Sequence, residues 1–478
     1  MQDYEQLYKN FIASSKSLLI APAGYGKTHT IAECLMFTTG HQLILTHTHA
    51  GVASIKEKVK KTNPSCKFTI ETISSFAQKY VEAFYCKSDK PEQDNNAYFP
   101  FIIQIATKLF TIKPIFEIIK ATYSGLFVDE YQDCTVSQHQ LIISLSEHLP
   151  LHILGDPLQG IFGFNGEQLV DFSTAFNDFD GSELTEPWRW KNTNAPLGDS
   201  LKSIRDKLNT NQPINLNDYA AISKYIVQES DLYIPTNAYY TKISQLLNSE
   251  SSLLIIYPIS ENKNARIKIV KQFKNRLRLV EAIDSSEFYD LSHKLDFCTP
   301  VNSFQVLLEI CAVLFKKTVI DNWLNDTGVK TKRDEDDRKI IEPIKNNILL
   351  STQHKSLKLF SQTICLIKDL PENICYRKEL FNDLCKALNT AYGNNSSVYD
   401  AMKEIRNIKR RVGRKINGKC IGTTLLTKGL EFDTVVLLNA HKFSDVKNLY
   451  VALTRATKNL VVFTENEILN PSVKQEFN

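Results

Sequence analysis

The apolar run Ser17-Leu-Leu-Ile20 leads directly into Ala21-Pro-Ala-Gly-Tyr-Gly-Lys-Thr28, and apolar residues at helical spacing, Ile31, Leu35 and Met36, follow. Strand, glycine-bearing turn and helix in that order read as a phosphate-binding loop. Backbone N–H groups at the start of such a helix have no intrahelical partner and cradle an anion. Ala21, Pro22, Ala23, Gly24, Tyr25, Gly26 and His29 would then surround a bound nucleotide, ATP. Lys27 would reach its β- and γ-phosphates, and Thr28 would ligate Mg²⁺. Ala21 stands where the strict pattern has glycine.

The loop needs acids, expected on the strand next to its own. Gly125-Leu-Phe-Val-Asp129-Glu130-Tyr-Gln-Asp133 supplies an apolar strand that ends in paired carboxylates. Asp129 would hold the metal through water, and Glu130 would orient or deprotonate the attacking water. A further apolar strand, Leu151-His-Ile-Leu154, ends in Gly155-Asp156-Pro157-Leu-Gln159, which places Gln159 to sense a γ-phosphate.

Asp129-Glu-Tyr-Gln-Asp133 and Gly155-Asp-Pro-Leu-Gln-Gly-Ile-Phe-Gly-Phe-Asn-Gly166 resemble motifs II and III of the UvrD/Rep/PcrA branch of superfamily 1 DNA helicases. The other motifs follow in family order: Leu43–Thr48 is similar to motif Ia, Glu71–Ser75 to a weakened Ib, Pro187–Trp190 to IV, Thr427–Phe432 to V and Leu449–Ala456 to VI. The resemblance implies two RecA-like P-loop domains, an α/β fold of parallel sheets flanked by helices, with small, mainly helical accessory insertions. It implies catalytic roles for Lys27, Glu130, Gln159, Arg189 and Arg455, the two arginines acting as fingers in cis on the transferred phosphoryl. Gln6 would read adenine, Trp188 would stack on it, and Glu431 would contact the sugar. Residues implied to touch DNA are His47, Thr48, Thr72, Phe162, Phe164 and Thr423.

The departures from the family pattern concern DNA. His47 replaces a base-contacting Phe; Phe162-Gly-Phe164-Asn165-Gly166 lacks the Trp-Arg pair of motif III; Leu425-Leu426 replaces a His-Ser pair; Ser74 replaces a histidine. Phe162 and Phe164 still offer a π-face for base stacking. The compact size resembles the helicase-like subunits of Gabija-type antiphage systems. Two functions fit. One is an ATP-dependent single-stranded DNA translocase or helicase, moving 3′ to 5′ on single-stranded or partly double-stranded DNA. The other is a regulatory, DNA- or nucleotide-sensing ATPase that separates no strands itself and controls a partner nuclease.

A chain of 478 residues suits two or three domains. The expected boundaries are residues 1–190 for a first RecA-like domain, with a short insertion at about 76–125. Residues 191–284 and 416–478 form the second, and 285–415 a reduced helical accessory domain. The net charge of +4 is no global polybasic signal, so basic character is local, at 263–278 and 403–419. Each stretch reads equally as a phosphate-tracking face or a solvated helix face. The Asn-rich segment 209–217 reads as a linker. The ten cysteines include no Cys-x-x-Cys pair, which argues for reduced thiols in a cytoplasmic protein. The polar start reads as no signal peptide, and no apolar run has the length of a membrane span.

Overall fold

A computed structural model describes residues 3–63, 65–91, 97–161, 167–259, 262–274, 276–281, 286–412, 416 and 418–472. Phe162, Phe164, Asn165, Gly166, Arg414 and Lys415 lie outside the described residues, as do Glu92 to Asn96 and the side chains of Arg410 and Arg411. The chain divides into two compact units, Met1–Ile226 with Arg411–Arg414 and Lys428–Asn478, and Val227–Arg410 with Lys415–Thr427.

In the first unit, β1 (Lys16–Ile20), β2 (His41–Thr46), β3 (Lys67–Thr72), β4 (Gly125–Val128), β5 (Leu151–Gly155) and β6 (Asp180–Glu183) form one sheet, ordered β3-β2-β4-β5-β1-β6. All its pairs are parallel. β4 and β5 are buried at every position, as strands covered on both faces must be, which is why they read as unbroken apolar runs. Helices Ile73–Phe84, Tyr98–Phe110 and Val136–Ser146 bring Phe76, Phe110 and Leu141 onto Leu126 and Val128 in one core. The order corrects one expectation: the strand carrying the acids is not next to the loop's strand, because β5 lies between them. Open parallel sheets bind ligands beyond the carboxyl ends of their strands, so the loop after β1, the acids after β4 and Asp156 after β5 share one edge.

Further parallel strands follow. Phe432–Leu437 pairs with Ala456–Thr464, which pairs with Ile222–Ile226. Lys419–Gly422 pairs with both Leu253–Ile256 and Arg278–Leu279. Parallel sheets flanked by helices are the α/β class expected from the motifs. Between Ser286 and Arg410 the second unit is mainly helical, around a core that includes Phe288, Ile310, Ile364 and Leu384.

One reading changes. The segment 209–217 is not a linker: Ile214 and Asn215 pair antiparallel with Leu469 and Ile468, and Ile214 is fully buried. Among the described residues, several cations of the basic stretches are engaged by protein. Lys263 pairs with Glu287, and Arg276 donates to Asn248 Oδ1 (2.5 Å). Arg406, fully buried over the Phe288 ring, pairs with Asp383 (2.7 Å), as does Lys409. Cations held this way order the second unit, while Lys268, Lys271 and Lys274 stay exposed.

Among the described residues no helix is long and apolar enough to cross a membrane. No cluster of three or more potential metal-ligating His, Cys, Asp or Glu side chains occurs among them.

His152, within β5, supplies a pH test of the first sheet. It is 3% exposed, its Nδ1 lies 2.8 Å from Ser17 Oγ, and burial pulls its pKa down to about 4. An unfolded imidazole titrates near 6.5. The unfolded chain therefore binds the proton first, and stability is lost as pH falls from 6.5 toward 4, by about 2 kcal/mol at pH 5. Thermal melts between pH 7 and pH 5 should show a shallower slope for His152→Gln than for the wild type; parallel slopes would refute this.

Candidate active site

The phosphate-binding loop is fixed at its first half and open at its second. Ala21 N–H donates to Gly155 O (2.8 Å), tying the end of β1 to that of β5. Ala23 N–H is shared by Asp156 Oδ2 (3.2 Å) and the Tyr450 hydroxyl (3.1 Å). Pro22 and Tyr25 are buried, and Tyr25 N–H closes a turn onto Pro22 O (3.1 Å). Gly24 has φ +81°, and a Cβ there would lie 2.6 Å from the Trp190 ring. Gly26 (φ +87°) precedes helix Lys27–Cys34, whose start carries no side-chain cap. Its first N–H groups thus stay available for an anion. Thr28 is half-buried at that start, and the exposed His29 lies 3.5 Å from Glu33.

Opposite charges converge here. Lys27 Nζ lies 2.7 Å from Glu130 Oε2, and Gln132 Nε2 donates to the same oxygen. Burial disfavours the Glu130 carboxylate, but Lys27 and Lys428 outweigh it and hold its pKa below the usual range. Glu130 also sits at φ +55°, a left-handed conformation that a non-glycine residue adopts only under constraint. Asp129 is 4% exposed, and its Oδ1 is buried without a hydrogen-bond partner. Burial first, and the Glu130 charge second, push its carboxyl pKa up. An unsatisfied buried carboxylate oxygen beside the phosphate loop fits a divalent cation.

Several contributors carried no assigned role in the sequence reading. Lys428, inside Thr427-Lys-Gly, places its buried ammonium on both oxygens of Asp133 (2.5 and 2.6 Å) and on Gln159 O (2.5 Å). Burial raises the Asp133 carboxyl to about 6. Asp156, fully buried, accepts from Gln159 Nε2 (2.9 Å) as well as from Ala23. Its own N–H donates to Gln132 Oε1 (2.9 Å). The Gln159 amide is thereby turned onto Asp156. The third acid of Asp-Glu-Tyr-Gln-Asp133 was the available signal for a cation partner such as Lys428; Tyr450 lies in the motif VI segment, but nothing in the sequence pointed it to Ala23.

The arginines and their neighbours form a second group. Arg189 Nη2 pairs with Glu431 (2.5 Å) and its Nη1 donates to Thr454 O (2.6 Å). Arg455 is 2% exposed, its guanidinium donating to Val451 O, Leu430 O and Thr454 Oγ1. Burial first, and Arg189 second, lower its pKa to about 10. Trp190 is core, its indole N–H donating to Ala456 O (2.7 Å). Trp188 is 42% exposed beside a cavity of about 170 Å³ lined by Glu186, Lys191 and Asp199. Gln6 is exposed on helix Tyr4–Ala13 and donates to Asn10 (2.8 Å).

The DNA candidates are more dispersed. Thr48 and Thr72 cap helices, accepting from Gly51 N–H (3.0 Å) and Ser75 N–H (3.1 Å). Half-buried His47 turns its Nε2 to the Cys134 thiol (3.3 Å), and burial pulls its pKa down to about 4. Thr423, in the second unit, is buried and accepts from Leu426 N–H (3.4 Å).

Comparison with known proteins gives two family matches, the UvrD/REP helicase N-terminal domain over residues 90–180 and the viral superfamily 1 RNA helicase core domain over residues 391–464. The Gabija protein GajB of Bacillus cereus (strain VD045) is 24% identical over 369 residues, 73% of this chain and 65% of that protein. The exonuclease/helicase protein RexA of Lactococcus lactis subsp. cremoris (strain MG1363) is 28% identical over 113 residues, 23% of this chain and 9% of that one. The matches thus span less than two thirds of these relatives' own lengths. Among solved structures, the crystal structure of Pif1 helicase from Candida albicans aligns with 98% of this chain and 95% of its own, at a TM-score of 0.42 and 12% identity.

Proposed function

We propose that this chain, which matches the UvrD/REP helicase N-terminal domain over residues 90–180 and is similar to GajB, is a UvrD-like superfamily 1 helicase that hydrolyses ATP at the carboxyl edge of the first sheet and couples hydrolysis to 3′-to-5′ movement on single-stranded DNA. The observation that carries this reading is the Lys27–Glu130 pair at an uncapped helix start, beside the orphaned Asp129 Oδ1. Lys27 and the helix N–H groups bind the phosphates. Thr28 and Asp129 would hold Mg²⁺, whose chemistry is to neutralise charge on the β- and γ-oxygens. Glu130, ionised at neutral pH, takes the proton of the attacking water once Lys27 turns to phosphate. Arg189 and Arg455 stabilise the charge on the transferred group. Gln6, Trp188 and Glu431 hold the base and sugar. We retain the sequence boundaries of the two RecA-like domains as part of this reading, and place the protein in the cytoplasm within an antiphage defence complex.

A specific observation favours a second reading, the ATPase that regulates a partner nuclease. Thr48 and Thr72 already serve as helix caps and His47 is turned to a thiol, so three DNA candidates are engaged within the protein. A titration of ATPase rate against single-stranded DNA separates the two. A translocase shows several-fold stimulation that weakens steeply with salt, because phosphate contacts release counterions. A rate indifferent to DNA, and raised only by a nuclease partner, would establish the regulator instead.

A further inference from the structure

Tyr450 contacts the phosphate loop directly. Its hydroxyl, with Asp156 Oδ2, accepts the Ala23 N–H at 3.1 and 3.2 Å, and both side chains are almost fully buried. A buried N–H must be satisfied, so these two acceptors fix where the first half of the loop sits. In the second half, the Tyr25 N–H closes a turn onto Pro22 O, and the amides of Gly24, Gly26, Lys27 and Thr28 are the ones left for phosphate. Tyr450 also belongs to helix Val446–Leu453, which runs into Arg455. Its carbonyl accepts from Thr454 Oγ1 (2.9 Å), which in turn accepts from Arg455 Nη2 (3.1 Å). Hydrogen bonds therefore run from the loop backbone through Tyr450 to the buried guanidinium.

We propose that Tyr450 is a positioning residue of the nucleotide site, its hydroxyl holding the phosphate loop in the geometry that takes the polyphosphate. This rests on the reading of the site as an ATPase. The two ends of Tyr450 do different work. The hydroxyl acts on the loop, while the main-chain carbonyl acts on Thr454 and Arg455. Tyr450→Phe deletes only the hydroxyl and keeps the carbonyl, so phosphate affinity should fall while the arginine end is preserved. A residue that merely filled the core would lower stability and leave the affinity of the folded protein unchanged.

The test uses the full chain and a fluorescent ADP analogue, read by titration well below the melting temperature, alongside steady-state ATPase. Tyr450→Phe should weaken nucleotide binding about 5- to 10-fold, the worth of one hydrogen bond, and raise KM for ATP in parallel, with kcat at saturation within about twofold of wild type. Wild-type-like affinity in the variant, with the wild type binding nucleotide normally, overturns the role of Tyr450 and leaves the ATPase reading standing. A wild type that binds neither ADP nor ATP overturns both. Amide exchange in the wild type is an independent check should the variant fold poorly. The Ala23 amide should be strongly protected without nucleotide, and free exchange there would refute the assignment.

Discussion

Replacing Lys27 by Ala, or Glu130 by Gln, is expected to lower the ATP hydrolysis rate by at least about a hundredfold, each by a different route. Lys27→Ala removes the cation that reaches phosphate. It also leaves Glu130 and the buried Asp129 without their nearest positive charge, so nucleotide affinity should fall with the rate. Glu130→Gln keeps shape and keeps an oxygen to accept from Lys27, but removes the base. Its nucleotide affinity should stay near wild type while turnover collapses, since a group that accepts a proton only during reaction acts on kcat. Measuring ATPase rate and nucleotide binding on both variants, with a melt to confirm folding, decides the assignment. Near-wild-type turnover in both would sink it.

What the sequence made legible was the chemistry that needs one residue type in one place. Lys27, Asp129 and Glu130 could be read because a phosphate loop and a strand-end acid pair leave few alternatives, and the structure gathers all three. Strands buried on both faces, such as Leu151–Gly155, were equally plain. Strand order was not, because an apolar run does not say which neighbour it pairs with; hence β5 appears between the strands of the loop and the acids. β3 and β6 carry no such signal, because Lys67–Thr72 and Asp180–Glu183 are partly exposed and rich in polar residues. The basic stretches were ambiguous for a related reason: charge counts do not reveal partners, and Arg406 finds Asp383 on another helix. Lys428 and Tyr450 lie in recognisable motifs, yet their targets, Asp133 and Ala23, are hundreds of residues distant, and only the folded chain shows the pairing.

Arg455→Ala is expected to reduce kcat by about a thousandfold, the usual worth of an arginine finger, while nucleotide affinity changes far less. The geometry without nucleotide explains why. The guanidinium is held by two backbone carbonyls and the Thr454 hydroxyl, and burial first and the Arg189 charge second lower its pKa to about 10. It remains cationic at neutral pH. Arg189 is paired with Glu431, whereas these three acceptors of Arg455 are neutral, an arrangement that a growing negative charge would stabilise and a neutral ligand would not. Arg189, Lys27 and the helix N–H groups all survive in the Ala variant and still bind the ground-state phosphates. Arg455→Lys should recover little, because an ammonium reproduces the charge without the planar fork that serves several oxygens at once. The competing account is that Arg455 only anchors the end of helix Val446–Leu453. That account predicts a lower melting temperature and, in whatever protein stays folded, normal turnover per bound nucleotide. Active-site titration of the folded fraction, followed by single-turnover hydrolysis, separates the two. Normal chemistry per site would make Arg455 a structural anchor and leave Arg189 alone as the arginine of the site.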